Sequence, residues 1–249
     1  MSDIGGEIEL GSMLFTLVEP HQGHEVAYNR WYERDHFYAG CMVGPWLFAG
    51  RRFVATRALK ELRFGSEPDL FGGRELGSYL AVYWIVAGRH DEHVDWALRQ
   101  VHWLHEHGRM FDERDHIHTL LYELAWANGQ GVPPELALDH PFGGLTATVV
   151  KLNDGVTVGD LGGWVGRLQP ELELCFTPIP LPEDAPVTQA RVDGHVLNLS
   201  FTTESPATWW DEQRAAAEQL ERDGIGQMLW TAPFIPTLPG TDRYADELW

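Results

Sequence analysis

The run from Asn29 to His36 (NRWYERDH) places a carboxamide, a phenol and an imidazole on one face of a predicted helix. An imidazole titrates near neutrality and can move a proton, and Tyr32, one turn before His36, could hydrogen-bond to it or to a substrate oxygen. Asn29 lies about two turns before His36 on the same side and could bind a carbonyl group. The spacing therefore favours His36 as a general acid/base, with Tyr32 and Asn29 polarising or orienting a substrate. The alternative is a capping or core histidine that bonds to the backbone.

The surrounding residues could form the wall of a pocket, because the buried stripe of this helix carries rings with polar ends instead of Leu and Ile. Adjacent side chains of a strand point to opposite faces, so only one of each neighbouring pair can face inward. An inward arginine would pair with a carboxylate such as Glu123 or bind an anionic substrate group. The candidate substrate-binding residues are Tyr28, Trp31, Arg52, Tyr83 and Trp84.

Composition narrows the class of partner. The net charge is −19, from 37 acidic and 18 basic residues, and such a field argues against nucleic acid and anionic membrane surfaces. The aromatic share is 12% with 11 Trp, which suits flat ligands and equally suits an aromatic core. We predict a cytoplasmic protein, because the sequence has only two cysteines, Cys41 and Cys175, which are far apart. The sequence also shows no signal-peptide pattern and no long apolar run.

A metal site is not expected. His102 and His105 lie three apart on a helix and His116 and His118 share a strand face, and both spacings can chelate an ion. The helical pair, however, lies in a charged helix end, where a histidine suits the carboxyl-terminal dipole. Nucleophile-elbow, phosphate-loop and dinucleotide motifs do not occur in the sequence.

Hydrophobic periodicity predicts the order β-α-β-β-α-β, written twice. The first copy has strands and helices at 12–19, 24–41 (helix), 46–56, 78–87, 91–107 (helix) and 116–127, with an irregular loop over 58–77. The second copy has them at 145–152, 158–168 (helix), 171–179, 192–203, 208–224 (helix) and 227–235, with a proline-rich stretch over 180–186. We therefore divide the chain into a first ferredoxin-like repeat at 1–128, a linker at 129–144, and a second repeat with a carboxyl-terminal tail at 145–249.

This order and the local motif resemble a known group. NRWYERDH at 29–36, a glycine and proline break, and RRFVA at 51–55 resemble the dimeric α/β-barrel superfamily, closest to its EthD-like members. The resemblance implies an α+β fold in which two tandem ferredoxin-like repeats form an internal pseudo-dimer, with an aromatic-lined cavity between sheet and helix. The second half lacks a counterpart of the aromatic and histidine helix, so the first half would carry the site.

Members of that superfamily include cofactor-free cyclases, monooxygenases and isomerases, and also haem-binding enzymes, so the fold narrows the mechanism little. From the residues and the resemblance together we predict a lyase, cyclase or isomerase that works without a cofactor on a hydrophobic aromatic or polycyclic molecule bearing a carbonyl group. One alternative is a haem-dependent enzyme with a histidine as axial ligand. Another is a non-catalytic protein that binds a small molecule. The outer strands could also pair two chains as a homodimer, and the tail could cover a pocket or an interface.

Overall fold

The computed structural model describes residues 7–129, 131–165, 170–180 and 194–249. These residues form nine strands: β1 (Leu10–Pro20), β2 (Leu47–Val54), β3 (Phe64–Gly65), β4 (Tyr79–Val86), β5 (Arg114–Gly129), β6 (Gly144–Leu152), β7 (Leu172–Pro178), β8 (His195–Thr202) and β9 (Gly226–Pro236). Their helices are α1 (Glu25–Trp31), a π-helix (Tyr32–Met42), α2 (Arg57–Leu62), α3 (His90–Glu106), α4 (Val158–Val165) and α5 (Trp210–Arg222), with short 3₁₀ turns at Pro134–Leu136, Pro206–Trp209 and Ala245–Glu247.

Eight of these strands close into an antiparallel barrel. The order is β2-β4-β1-β5-β7-β8-β6-β9, and β9 returns to pair with β2. This closing contact spans two residue pairs, Phe53↔Pro236 and Val54↔Ile235. The architecture confirms the predicted α+β class and is compatible with a dimeric α/β-barrel. Each half contributes a block of four strands with the same internal order, β2-β4-β1-β5 and β7-β8-β6-β9.

The inside of the barrel is filled by side chains from every one of these eight strands. Alternate residues of each strand point inward, which is the period that a half-buried strand requires. Strands of both halves contribute to a single apolar cluster, which includes Phe15, Phe53, Trp84, Phe176, Phe201, Trp230 and Phe234. The segment predicted as a linker also packs here, because Ala137, Leu138 and Phe142 are buried in the same cluster.

Two predicted elements differ from the structure. Residues 58–77, expected as an irregular loop, hold most of α2 and all of β3. The helix buries Leu59 and Lys60 and packs Leu62 against the core, while Arg57, Ala58 and Glu61 are exposed. The single α-helix expected over 24–41 becomes a π-helix after Trp31. Parts of three predicted segments lie outside the described residues. These are the proline-rich stretch from 181 onward, the end of the helix predicted at 158–168, and the first two residues of the strand predicted at 192–203. Within the described part of the chain, no helix has the length and apolarity needed to cross a membrane.

Candidate functional site

A pocket of about 390 Å³ lies where the π-helix, β2 and the segment after β9 meet. We call it the π-helix pocket. It is lined by Glu33, Phe37, Tyr38, Gly50, Arg51, Arg52, Pro236, Thr237, Leu238 and Pro239. Its volume falls in the range of small-molecule sites, about 300–1,000 Å³.

The winding of the π-helix decides which side chains face this pocket. Its backbone bonds run from residue i+5 to residue i, as in the 3.1 Å bond from the Val43 N–H to the Tyr38 carbonyl oxygen. The wider turn changes the direction of every side chain after Tyr32 from that of an α-helix. Glu33 and Phe37 are four residues apart and would share a face in an α-helix too, and the wider turn adds Tyr38 to that face. The rings of Tyr32 and His36 still lie 5.3 Å apart.

Arg52 is the buried cation of the pocket, with 5% of its surface exposed. Its Nη1 donates to the Asn29 side-chain oxygen at 2.9 Å and lies 3.5 Å from Glu33 Oε1. The guanidinium also stands over the ring of Tyr32 at 4.5 Å and that of Tyr79 at 5.0 Å, both favourable cation–π distances. Its Nη2 is buried and has no hydrogen-bond partner. The predicted pairing of an inward arginine with Glu123 is therefore replaced by a pairing with Glu33.

Glu33 is held by the carboxyl-terminal segment. Its Oε2 accepts a 3.0 Å hydrogen bond from the Gly240 N–H, and its side chain is 11% exposed. Its Oε1 is buried and accepts no hydrogen bond. The same segment is fixed to α1, because the Asn29 amide donates to the Thr241 carbonyl oxygen at 3.0 Å and Arg30 pairs with Asp242.

Arg51, on the opposite face of β2, has a structural task. Its Nη1 donates to the carbonyl oxygens of Leu138 at 3.3 Å and His140 at 2.5 Å. Burial lowers the pKa of the Arg51 guanidinium from its usual value. Arg51 thereby ties the segment between the two halves to the barrel.

Tyr32 and Tyr83 form a buried pair behind the pocket. Their hydroxyls share a 2.9 Å hydrogen bond, and burial raises the pKa of both phenols well above the usual value. Tyr28 packs in the same cluster, on the rings of Tyr32 and Tyr79. These phenols stay protonated at neutral pH, and none of the three lines the π-helix pocket.

His36 lies outside the lining of the pocket. Trp31 stacks on its ring at a centroid distance of 4.5 Å and an interplanar angle of 19°, and Trp31 in turn donates from its indole to the Arg109 carbonyl oxygen at 2.9 Å. Burial, reinforced by the positive charge of Arg114, lowers the pKa of His36 to about 4. The ring is therefore neutral at pH 7, and its Nδ1 is buried without a hydrogen-bond partner.

Of the predicted site residues, Arg52 contacts both Asn29 and Tyr32. The rings of Tyr32 and His36 also lie together, with centroids 5.3 Å apart, and Trp31 packs on both of them, but neither His36 nor Trp31 lines the pocket. Tyr83 and Trp84 point to opposite faces as expected, and Trp84 belongs to the barrel interior. Sequence reasoning did not select Glu33, Phe37, Tyr38 or the segment 236–239. Glu33 lies inside the NRWYERDH motif, but at α-helical spacing its side chain points away from the stripe that carries Tyr28, Tyr32 and His36.

The chain matches no protein-family model and no curated protein. Solved structures do match. A DypB variant from Rhodococcus jostii in complex with heme aligns at TM-score 0.56 and 7% identity, covering 96% of each chain. A dye-decolorizing peroxidase from Bacteroides thetaiotaomicron aligns at TM-score 0.52 and 9% identity, over 99% of this chain and 98% of that one. An anthrone oxidase-like protein aligns at TM-score 0.51 and 9% identity, over 94% and 95%.

At these identities the matches show that this chain shares the fold of those proteins, which is compatible with a dimeric α/β-barrel, and nothing finer. They contradict the prediction that this protein works without a cofactor, since a protein that shares its fold, the DypB variant, holds heme. The expectation rested on the cofactor-free members of the superfamily, whose fold is shared with haem proteins.

Haem needs an imidazole, thiolate, thioether or phenolate facing a space wide enough for the ring. No His, Cys or Met lines the π-helix pocket, and its Tyr38 is 55% exposed. His118 keeps a buried, unpartnered Nδ1 as His36 does, but its ring is packed 4.9 Å from that of Phe71. Residues 166–169 and 181–193 contain no His, Cys, Met or Tyr. The arrangement of the described residues does not fit a haem site.

Proposed function

We propose that this protein binds a small planar aromatic molecule in the π-helix pocket, with an oxygen of that molecule accepting a hydrogen bond from Arg52 Nη2. The observation that carries the proposal is the buried Nη2 without a partner. A buried donor left unpaired costs about 1–3 kcal/mol, and that cost is recovered when a ligand oxygen accepts from it. Hydrogen bonds from a charged donor are also roughly twice as strong as neutral ones.

The walls of the pocket support a flat ligand. Phe37 and Tyr38 supply rings on one side, and Pro236, Leu238 and Pro239 supply aliphatic surface on the other. Gly50 has no side chain at the point where the Tyr83 ring packs closely on β2, since a Cβ there would meet that ring at 2.6 Å. A ring slotted between these walls would exchange water for apolar contacts at about 25 cal/mol per Å².

Asn29 and Tyr32 act in this proposal as positioning residues for Arg52, through the contacts already described. The proton-transfer role predicted for His36 is a separate proposal, because the ring does not line the pocket. It holds only if a substrate reaches the buried Nδ1, and lyase, cyclase or isomerase chemistry at that ring depends on the same condition. A pocket that only binds would be indifferent to the loss of this imidazole.

The test uses 2-methoxynaphthalene as the probe and isothermal titration calorimetry as the readout. Leu238→Trp fills the mouth of the pocket from a side chain that is 41% exposed, so the fold is retained. We expect this variant to lose at least tenfold in affinity, whereas Leu98→Trp, placed on α3 at a side chain that is 58% exposed, serves as the matched control. Equal affinity in the two variants, or no saturable binding by the unmodified protein, would remove the proposal.

A haem-dependent enzyme is the second candidate, favoured by the heme in the DypB variant that shares this fold. Binding would require the ring of His36 or His118 to leave its present stack. The test is a titration of the protein with hemin, followed by the position of the Soret band. A saturable shift that disappears in His36→Ala or in His118→Ala would support this candidate, and a shift unchanged in both would reject it.

We also propose that the two halves are copies of one ferredoxin-like unit and that the closest relation is to EthD-like proteins. The equal strand order of the two blocks supports the first statement. Separate expression of 1–128 and 145–249 tests it, since two copies of one unit should each fold or should assemble when mixed.

A further inference from the structure

We propose that the ligand oxygen is a hydroxyl, phenolic or enolic, which accepts from Arg52 Nη2 and donates to Glu33 Oε1. This inference rests on the proposed function and names the chemical class of its ligand. It starts from a second unpaired atom, on another residue that lines the same pocket. Glu33 Oε1 is a buried acceptor without a donor, as Arg52 Nη2 is a buried donor without an acceptor.

The two unpaired atoms are close enough for one oxygen to reach both. Glu33 Oε1 lies 3.5 Å from Arg52 Nη1, and Nη2 is bonded to the same guanidinium carbon as Nη1. Both side chains are held in place, Glu33 by the Gly240 N–H and Arg52 by Asn29. The pair is therefore preorganised, and binding need not order either side chain.

Among oxygen groups, a hydroxyl is the one that satisfies both atoms. A methyl ether or a ketone accepts from Arg52 but leaves Glu33 Oε1 without a donor. A carboxylate accepts from Arg52 and brings a second negative charge next to the Glu33 carboxylate, which is unfavourable at this distance and burial. A hydroxyl accepts from the guanidinium and donates a charge-assisted bond to the carboxylate.

The test compares 2-naphthol with 2-methoxynaphthalene, which keep the same ring and the same oxygen but differ in the donor. We expect the unmodified protein to bind 2-naphthol at least about tenfold more tightly, the range for a hydrogen bond to a charged group. Titration calorimetry on both probes gives the ratio. Equal affinities, or a preference for 2-naphthoate over 2-naphthol, would overturn the inference.

Glu33→Gln shows whether Glu33 is the origin of the preference. The amide keeps an oxygen for the Gly240 N–H and presents an N–H₂ donor where Oε1 stood. The ratio between the two probes should then fall below about threefold, because the methyl ether no longer leaves an acceptor unpaired. Glu61→Gln, at a side chain that is 65% exposed, is the control that should keep the full ratio. A full ratio in Glu33→Gln would assign the discrimination to another group and refute the inference.

The two proposals fail in different ways. If neither naphthalene probe responds to Leu238→Trp, the pocket is not the binding site and the proposed function is lost. If both probes bind there with equal affinity, the proposed function stands and the hydroxyl assignment is lost.

Discussion

Replacing Arg52 by methionine should destabilise the protein by about 3–5 kcal/mol, because Glu33 would be left as a buried charge without its partner. The substitution also removes the donor to the Asn29 side-chain oxygen, a bond of 2.9 Å between two buried residues. Methionine keeps an aliphatic side chain of similar length but loses the guanidinium that stands over the rings of Tyr32 and Tyr79. The decrease in the free energy of unfolding therefore comes from lost electrostatic interactions and hydrogen bonds and not from a cavity.

A double-mutant cycle separates these contributions. Removing both charges, as in Arg52→Met with Glu33→Met, eliminates the unpaired carboxylate, so the double variant should be more stable than the sum of the two single losses by about 1–3 kcal/mol. The measurement is equilibrium unfolding in urea, with circular dichroism as the signal and a common slope for all variants. A loss below 1 kcal/mol in Arg52→Met, or strictly additive losses in the cycle, would show that the pair is solvated and would refute the reasoning.

The remaining predictions concern other groups in the chain. Burial raises the pKa of Glu173 to about 7 from a usual 4.5. Its contribution to stability is therefore full below pH 4.5 and is lost as the pH rises through 7. In urea unfolding, the unmodified protein should lose about 3 kcal/mol of stability between pH 4.5 and 8 relative to Glu173→Gln. Tyr32→Phe should cost about 1 kcal/mol, because the Tyr83 hydroxyl then keeps only its bond with the Cys41 thiol, whereas the double change with Tyr83→Phe should cost less than the single one in the same assay. Leu248→Ala, at a residue that is 1% exposed, should cost about 2–5 kcal/mol in thermal unfolding, and a smaller loss would mean that the tail is not docked. His36→Ala should change the calorimetric affinity for 2-naphthol by less than twofold, since its ring does not line the pocket; a tenfold loss would place the imidazole at the ligand.

The strands and the long helices could be predicted because their signals are local. Tyr79 to Val86 is apolar and aromatic throughout, and the structure buries the whole of that strand. The Ser-Pro pair at 205–206 marks the start of a helical segment in the sequence and in the structure. The sequence also singled out Asn29 and Tyr32 on the first helix and Arg52 on β2, and Arg52 contacts both of the others.

The pocket itself could not be predicted, for two physical reasons. A π-helix has no sequence signature in the hydrophobic period, so an α-helical phase misplaces Tyr38 relative to Glu33 and Phe37, with which it lines the pocket. The opposite wall comes from residues 236–239, which lie about 200 positions from the π-helix along the chain. Their approach is fixed by barrel closure and by the bond between Glu33 and Gly240, which are consequences of tertiary structure.

The closure of the barrel also bears on how a ligand would act on the whole chain. β2 and β9 join through two residue pairs, next to bonds from the Thr237 N–H at 3.1 Å and the Thr237 hydroxyl at 3.3 Å to the Arg52 carbonyl oxygen. A strand pair joined by so few hydrogen bonds is the place where a barrel opens first in native-state fluctuations. The π-helix pocket spans this junction between β2 and β9, with Arg52 on the β2 side and Thr237 to Pro239 on the β9 side. A bound molecule would contact both strands and stabilise their pairing, so it would slow amide exchange in β2 and β9 more than in any other pair of strands.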